Sequence, residues 1–214
     1  MMKYKGMFIK LFPIMLKKNM VEQYGKDVTR KAFKGAPSIY REMLAGCDDI
    51  GSDNPMAGNI YMCFVFLAIW KAADGAINPD SYRVVIRKLM KSRLIRKMKG
   101  GKDLNKPDDM EAVKKHFHEM QEWADAHPEY RDKTWDFNFD ENKHRDGSYY
   151  HFTRCPIEVY ARKNGFLEVL PVCCEIDHLI TELSHGVLIR EQTLATGGDM
   201  CDYWIVGDRV KDPV

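Results

Sequence analysis

The sequence predicts an α+β protein: a helical region over residues 1–130, then an antiparallel-sheet and helix region over residues 131–214, joined as one compact unit. Three observations predict it. Up to Pro128 the apolar residues recur at helical spacing. From Trp135 onward two stretches alternate with period two, as half-buried strands do. Gly, Asn and Asp turn signals then pair these strands into two hairpins.

In order, residues 5–34 form an amphipathic helix, with Phe8, Leu11, Phe12, Met15 and Leu16 on one face and Lys17, Lys18, Lys26, Arg30 and Lys31 on another. A shorter helix over 38–46 ends near Gly46, and a turn-rich loop carries Cys47, Asp48, Asp49 and Asp53. Residues 56–74 make the most apolar helix and hold Cys63 as a small core residue. Asn78-Pro79-Asp80 starts a helix over 80–98, with Pro at the favoured first position. With Lys99 just beyond it, that helix carries eight Lys and Arg residues and no acid after Asp80, so it offers a solvated basic face or a surface for an acidic partner. A helix from Lys106-Pro107 to about residue 127 holds His116 and His118, which diverge at that spacing and cannot chelate one ion together.

In the second region, residues 135–140 and 148–153 form the first hairpin around Lys143–Gly147. Helices follow over 156–163, closed by Asn164-Gly165, and over 171–184. Strands over 187–194 and 200–206 flank a Thr196–Asp199 turn and form the second hairpin.

The chain has 214 residues, a net charge of +2 and six cysteines. The charge calls for no nucleic acid, and six thiols are too few for a disulfide framework. The longest apolar stretch, residues 60–70, is about half a membrane span, and Pro13 and the lysines interrupt the N-terminal apolar run. These features point to a cytoplasmic protein with reduced thiols and without a membrane span. A homo-oligomer is compatible with them.

Cys174 and Asp177, three apart on a helix, share a face. Cys155 precedes the helix at 156, and Cys201 opens the last strand. Asp202, its strand neighbour, points the other way. Three readings of this set are open: buried thiols with a helix-capping Asp, nucleophilic catalysis, or a zinc site made of Cys155, Cys174 and Cys201. For catalysis, Cys174 in the first turn of its helix would be the thiolate. Asp177 or His178 would move protons, and the Gly197-Gly198 turn would offer N–H groups to a developing anion.

Phe152, Cys155 and Pro156, then Pro171-x-x-Cys174-x-x-Asp177, then Thr193-x-x-x-Gly197-Gly198-x-x-Cys201-Asp202 resemble the ordered motifs of the L-2-amino-thiazoline-4-carboxylic acid hydrolase family across residues 148–206. The second region also resembles small-molecule-binding domains of the vinyl-reductase type, some of which bind zinc through cysteines. The first resemblance implies hydrolytic opening of a cyclic 2-amino-thiazoline to a carbamoyl-cysteine, on the route to cysteine, with no cofactor. It makes Cys174, Asp177 and Cys201 the catalytic set. Cys155, Thr193, Gly198, Asp202, Arg190 and His178 would bind substrate, with Arg154 or Arg190 on its carboxylate. The second leaves a non-catalytic binding or sensor domain, with zinc on Cys155, Cys174 and Cys201, as the alternative.

Overall fold

Two helical arms joined at a glycine open the chain. In the computed structural model, which describes residues 1–99, 101–140 and 142–213, α1 (Gly6–Gly46) is broken at Gly25, where φ is 78° and ψ is 172°. Glycine takes that backbone conformation without a Cβ clash, so the break falls there. The sequence reading divides this stretch near Pro37 instead. Pro37 rides inside the second arm, at the loss of one backbone hydrogen bond. α2 (Ala57–Ala72) is buried from Cys63 to Ile69 without interruption, so it is the helix the others wrap. Gly35 lets α1 approach it closely: a Cβ there would stand 3.0 Å from Cβ of Ala72.

The basic helix is two helices, α3 (Pro79–Met90) and α4 (Arg93–Lys99). Asn78 caps α3, its side-chain oxygen accepting from the N–H groups of Asp80 at 2.8 Å and Ser81 at 3.3 Å. Ser92 interrupts the run, its hydroxyl accepting from the N–H of Ile95 at 3.4 Å. Much of the basic face is used within the molecule. Arg83 and Arg87 both meet Glu175, and Lys91 meets Glu182 at 2.9 Å. The surface expected to be solvated is in part an ion-pair seam between α3 and a later helix.

α5 (Pro107–Ala126) follows, then β1 (Phe137–Phe139), β2 (Ser148–Phe152), α6 (Pro156–Asn164), α7 (Leu170–Leu183), β3 (Gly186–Ile189) and β4 (Cys201–Gly207). Gly165, with φ of 75°, closes α6 in the left-handed conformation. The strands form one antiparallel sheet in the order β1-β2-β4-β3, so the two hairpins lie side by side. β2 pairs β4 with Phe152 opposite Cys201 and Tyr150 opposite Tyr203. β3 is shorter than the predicted 187–194. It stops at Ile189 because the Asp202 carboxylate accepts from the N–H groups of Glu191 at 2.9 Å and Gln192 at 2.8 Å, and so withdraws them from the ladder. Buried residues from α1 through β4 form one continuous apolar cluster. Among the described residues, no helix is long and apolar enough to cross a membrane.

Gly147 anchors the start of β2. Its φ is 77°, and an added Cβ would run into the carbonyl oxygen of Ile205 on β4. Gly147→Ala combines backbone strain with that collision. It is expected to destabilise the fold by about 2 kcal/mol or more, lowering the thermal midpoint by roughly 5 °C in a calorimetric scan.

Candidate active site

A cavity of about 460 Å³ lies between the inner face of the sheet and α7. Strand alternation supplies one wall: Cys201, Tyr203 and Ile205 from β4, with Tyr150 and Phe152 from β2 and Phe137 from β1. Helical spacing supplies the opposite wall, with Leu170, Cys174, Asp177 and Thr181 following one another along α7. α2 contributes Cys63, the residue before α6 contributes Cys155, and α5 covers the space with Val113, Phe117 and Met120. Asn59, Lys102 and His116 are exposed residues on its border and mark the opening. Five of the six cysteines border this cavity: Cys63, Cys155, Cys173, Cys174 and Cys201.

The polar centre is Asp177. Its Oδ2 accepts from the phenol of Tyr203 at 3.0 Å and from Nη2 of Arg190 at 3.0 Å. The Arg190 side chain is 5% exposed and that of Asp177 41%, so a buried cation holds a carboxylate that faces open space. Arg190 also donates to the carbonyls of Cys174 at 3.1 Å and Asp202 at 3.2 Å, and its guanidinium lies 4.0 Å from the centre of the Tyr203 ring. Burial opposes the Arg190 charge, but Tyr203 and Asp177 outweigh it and keep the guanidinium protonated. Tyr150 stacks on Tyr203 at 4.7 Å, and burial pushes both phenols well above their ordinary range. Tyr203 is therefore a neutral donor to Asp177.

The thiols are neutral as well. Burial, then the Asp177 charge, pushes Cys174 well above the ordinary thiol value. Burial pushes Cys155 up to about 12. Cys201 is raised by burial, against the Leu194 N–H that its sulfur accepts at 3.3 Å and against the Arg190 charge. Cys63 is raised first by its hydrogen bond with Cys173 and then by burial. These directions correct the thiolate expectation for Cys174. α7 begins at Leu170, which makes Cys174 its fifth residue, beyond the first turn where the helix dipole acts.

Asp177, Cys174, Cys201 and Cys155 thus share one cavity. The other predicted residues stand elsewhere. His178, Thr193 and Arg190 line a separate outer groove of about 590 Å³, together with Arg83, Arg87 and Glu175; Cys174 borders both spaces. Burial, then the nearby Arg190 charge, lowers the His178 pKa, so it is a neutral imidazole in that groove. The Gly197 and Gly198 N–H groups are already spent on the carbonyls of Leu194 at 3.2 Å and Thr193 at 2.9 Å, so this turn is no anion cradle. A Cβ at Gly198 would meet the Gln192 side chain at 2.9 Å, so the residue serves loop packing. Asp202 braces residues 191 and 192. Arg154 donates to the Thr134 carbonyl at 3.0 Å, outside the cavity. Among the described residues, no three His, Cys, Asp or Glu side chains are grouped to hold a metal ion, so Cys155, Cys174 and Cys201 are not a zinc ligand set.

Sequence reasoning missed Tyr203, although the period-two pattern after Cys201 places it on the same face. It also assigned Cys63 to the core of a distant helix, with no local signal that this helix meets the cavity.

Raised thiols set a pH window. Below pH 9.0, the ordinary thiol value, Cys155 and Cys47 are protonated in folded and unfolded chains alike. Above it the unfolded chain ionises first, so their contribution to stability is lost as pH climbs toward about 12. Native protein near neutral pH is expected to resist iodoacetamide at Cys155 and Cys174, and denatured protein to label at all six cysteines, as read by peptide mass spectrometry.

Neither curated proteins nor solved structures gave a match. The family described as L-2-amino-thiazoline-4-carboxylic acid hydrolase matches residues 58–205. That span contains every residue bordering the cavity except Met56. Covering well over half of the chain, the match makes this protein a member of the L-2-amino-thiazoline-4-carboxylic acid hydrolase family.

Proposed function

We propose that the chain is a hydrolase that opens a 2-amino-thiazoline ring by adding water across its amidine-like carbon. The observation that carries this reading is the Asp177 carboxylate, fixed by Arg190 and Tyr203 on one oxygen and facing a cavity walled by apolar groups and neutral thiols.

The carbon bonded to sulfur and two nitrogens is the electrophile. Both donors go to Oδ2 of Asp177, which leaves Oδ1 to take a proton from water as that water attacks. A tetrahedral centre forms. The proton held on Asp177 then passes to the departing ring heteroatom as its bond to carbon breaks, the proton of the added hydroxyl moves to nitrogen as the carbonyl forms, and a carbamoyl-cysteine results. Water supplies the oxygen and both protons, so no redox partner is needed. The buried Arg190 charge keeps Asp177 in place, and Tyr203 shares the carboxylate's charge while it is ionised. Cys174 and Cys201 line the ring as neutral thiols rather than attack it.

The family to which the chain belongs supports this reaction, and the neutral thiols favour the carboxylate over cysteine as the reacting group. With 2-amino-thiazoline-4-carboxylate as substrate, Asp177→Asn is expected to lower kcat about 10²–10⁴-fold. Tyr203→Phe removes one hydrogen bond to a charged group and is expected to cost about 10-fold or more. Cys174→Ala is expected to keep turnover within about tenfold, a difference of ~1.4 kcal/mol. Full activity in Asp177→Asn, or loss of activity in Cys174→Ala as deep as that of Asp177→Asn, would remove the carboxylate from this role. Binding of the thiazoline without turnover by the unaltered protein would favour a binding module instead.

A further inference from the structure

The cavity is longer than the ring it is proposed to open. Leu170 and Thr181 both border it and both lie on α7. At about 1.5 Å per residue, about 16 Å of helix separates them. Asp177 stands about 10 Å from Leu170 on the same scale, and all of that reach is walled. Away from Asp177 that reach is walled by Leu170, Phe152 and Ile157, each buried, whereas the exposed border residues lie elsewhere: Lys102 precedes Leu104, whose N–H meets the Ser184 carbonyl at the other end of α7, His116 is on α5, and Asn59 stands one turn before Cys63 on α2. The cavity measures about 460 Å³. A bare five-membered ring with its amine and carboxylate would leave much of the closed end as void against apolar walls.

The chemistry of that end is specific. Its walls combine the Phe152 ring and the side chains of Leu170 and Ile157 with thiols that burial holds neutral, and the one carboxylate beside them, Glu158, is engaged by Arg162 at 2.6 Å. A neutral cysteine behaves as a small polarisable hydrophobe, and sulfur packs favourably against aromatic rings. Clustering five cysteines here gives a soft, apolar surface, and among the described residues no three metal-ligating side chains are grouped to hold an ion.

We infer that the ring opened at Asp177 carries a bulky apolar group, aromatic by preference, seated in the closed end of the cavity between Leu170, Ile157, Phe152 and Cys63. This rests on the hydrolase reading for the ring and on the cavity alone for the extension. The site therefore selects an arylated or alkylated 2-amino-thiazoline over the unsubstituted carboxylate.

The test measures binding and turnover separately. Calorimetric titration of the full chain, and of Asp177→Asn, compares 2-amino-thiazoline-4-carboxylate with its 5-benzyl derivative. Burying a benzyl group here is expected to tighten Kd roughly tenfold or more. Ile157→Phe fills the closed end and is expected to bring the two Kd values within about threefold of each other. A thermal midpoint at or above that of the unaltered protein shows that the variant is folded. Equal or weaker binding of the benzyl derivative, no binding of either compound at millimolar concentration, or an undiminished preference in folded Ile157→Phe overturns the inference. Tight benzyl binding without hydrolysis of either compound leaves the inference standing and sinks the proposed reaction. Hydrolysis of both with no benzyl preference does the reverse.

Discussion

The guanidinium of Arg190 is the interaction on which the site depends. It is a buried cation at the point where β3 leaves the sheet, and it joins two elements that share no backbone hydrogen bonds. Toward α7 it reaches the Cys174 carbonyl and the Asp177 carboxylate; toward β4 it reaches the Asp202 carbonyl and the face of Tyr203. A charge taken out of water is tolerated only when its donors are matched in this way. Helix and strand are thereby held at one separation, and the cavity is the space that separation leaves. The same residue also forms part of the partition between the inner cavity and the outer groove.

Much of the fold was legible because local chemistry and global structure agree. The prolines at 79, 107 and 156 start helices, Gly165 ends one, and the alternation at 135–140 and 148–153 becomes a hairpin. Where the reading failed, a distant partner decided the outcome. β3 ends early because a carboxylate on β4 captures the next two N–H groups. The basic helix is less solvated than its composition suggested because Glu175 and Glu182 project from α7 toward it. Neither fact has a signal within its own segment.

The candidate site divides along the same line. The i, i+3 spacing of Cys174 and Asp177, and the strand position of Cys201, carried enough geometry to bring them to one face. Thr193, Gly198 and Asp202 belong to the same ordered motif, yet they shape the loop that crosses behind Cys201 rather than touch the cavity. Motif membership reports that a residue is needed, and a loop brace is needed as much as a reacting group. Protonation was also out of reach of the sequence, because it follows from burial by residues as remote as Cys63 and Phe117.

The pairing of β2 with β4 sets Phe152 against Cys201 and Tyr150 against Tyr203, across about fifty intervening residues. Since facing alternates along a strand, sliding β4 by a single position would exchange its two sides. Asp202 would then turn inward, bringing a second negative charge next to Asp177, while the thiol and the phenol turned away. Alignment of the two central strands thus acts as a combination lock: a mis-set chain would still be a sheet, but its interior would hold a second carboxylate where the native one holds a thiol and a phenol.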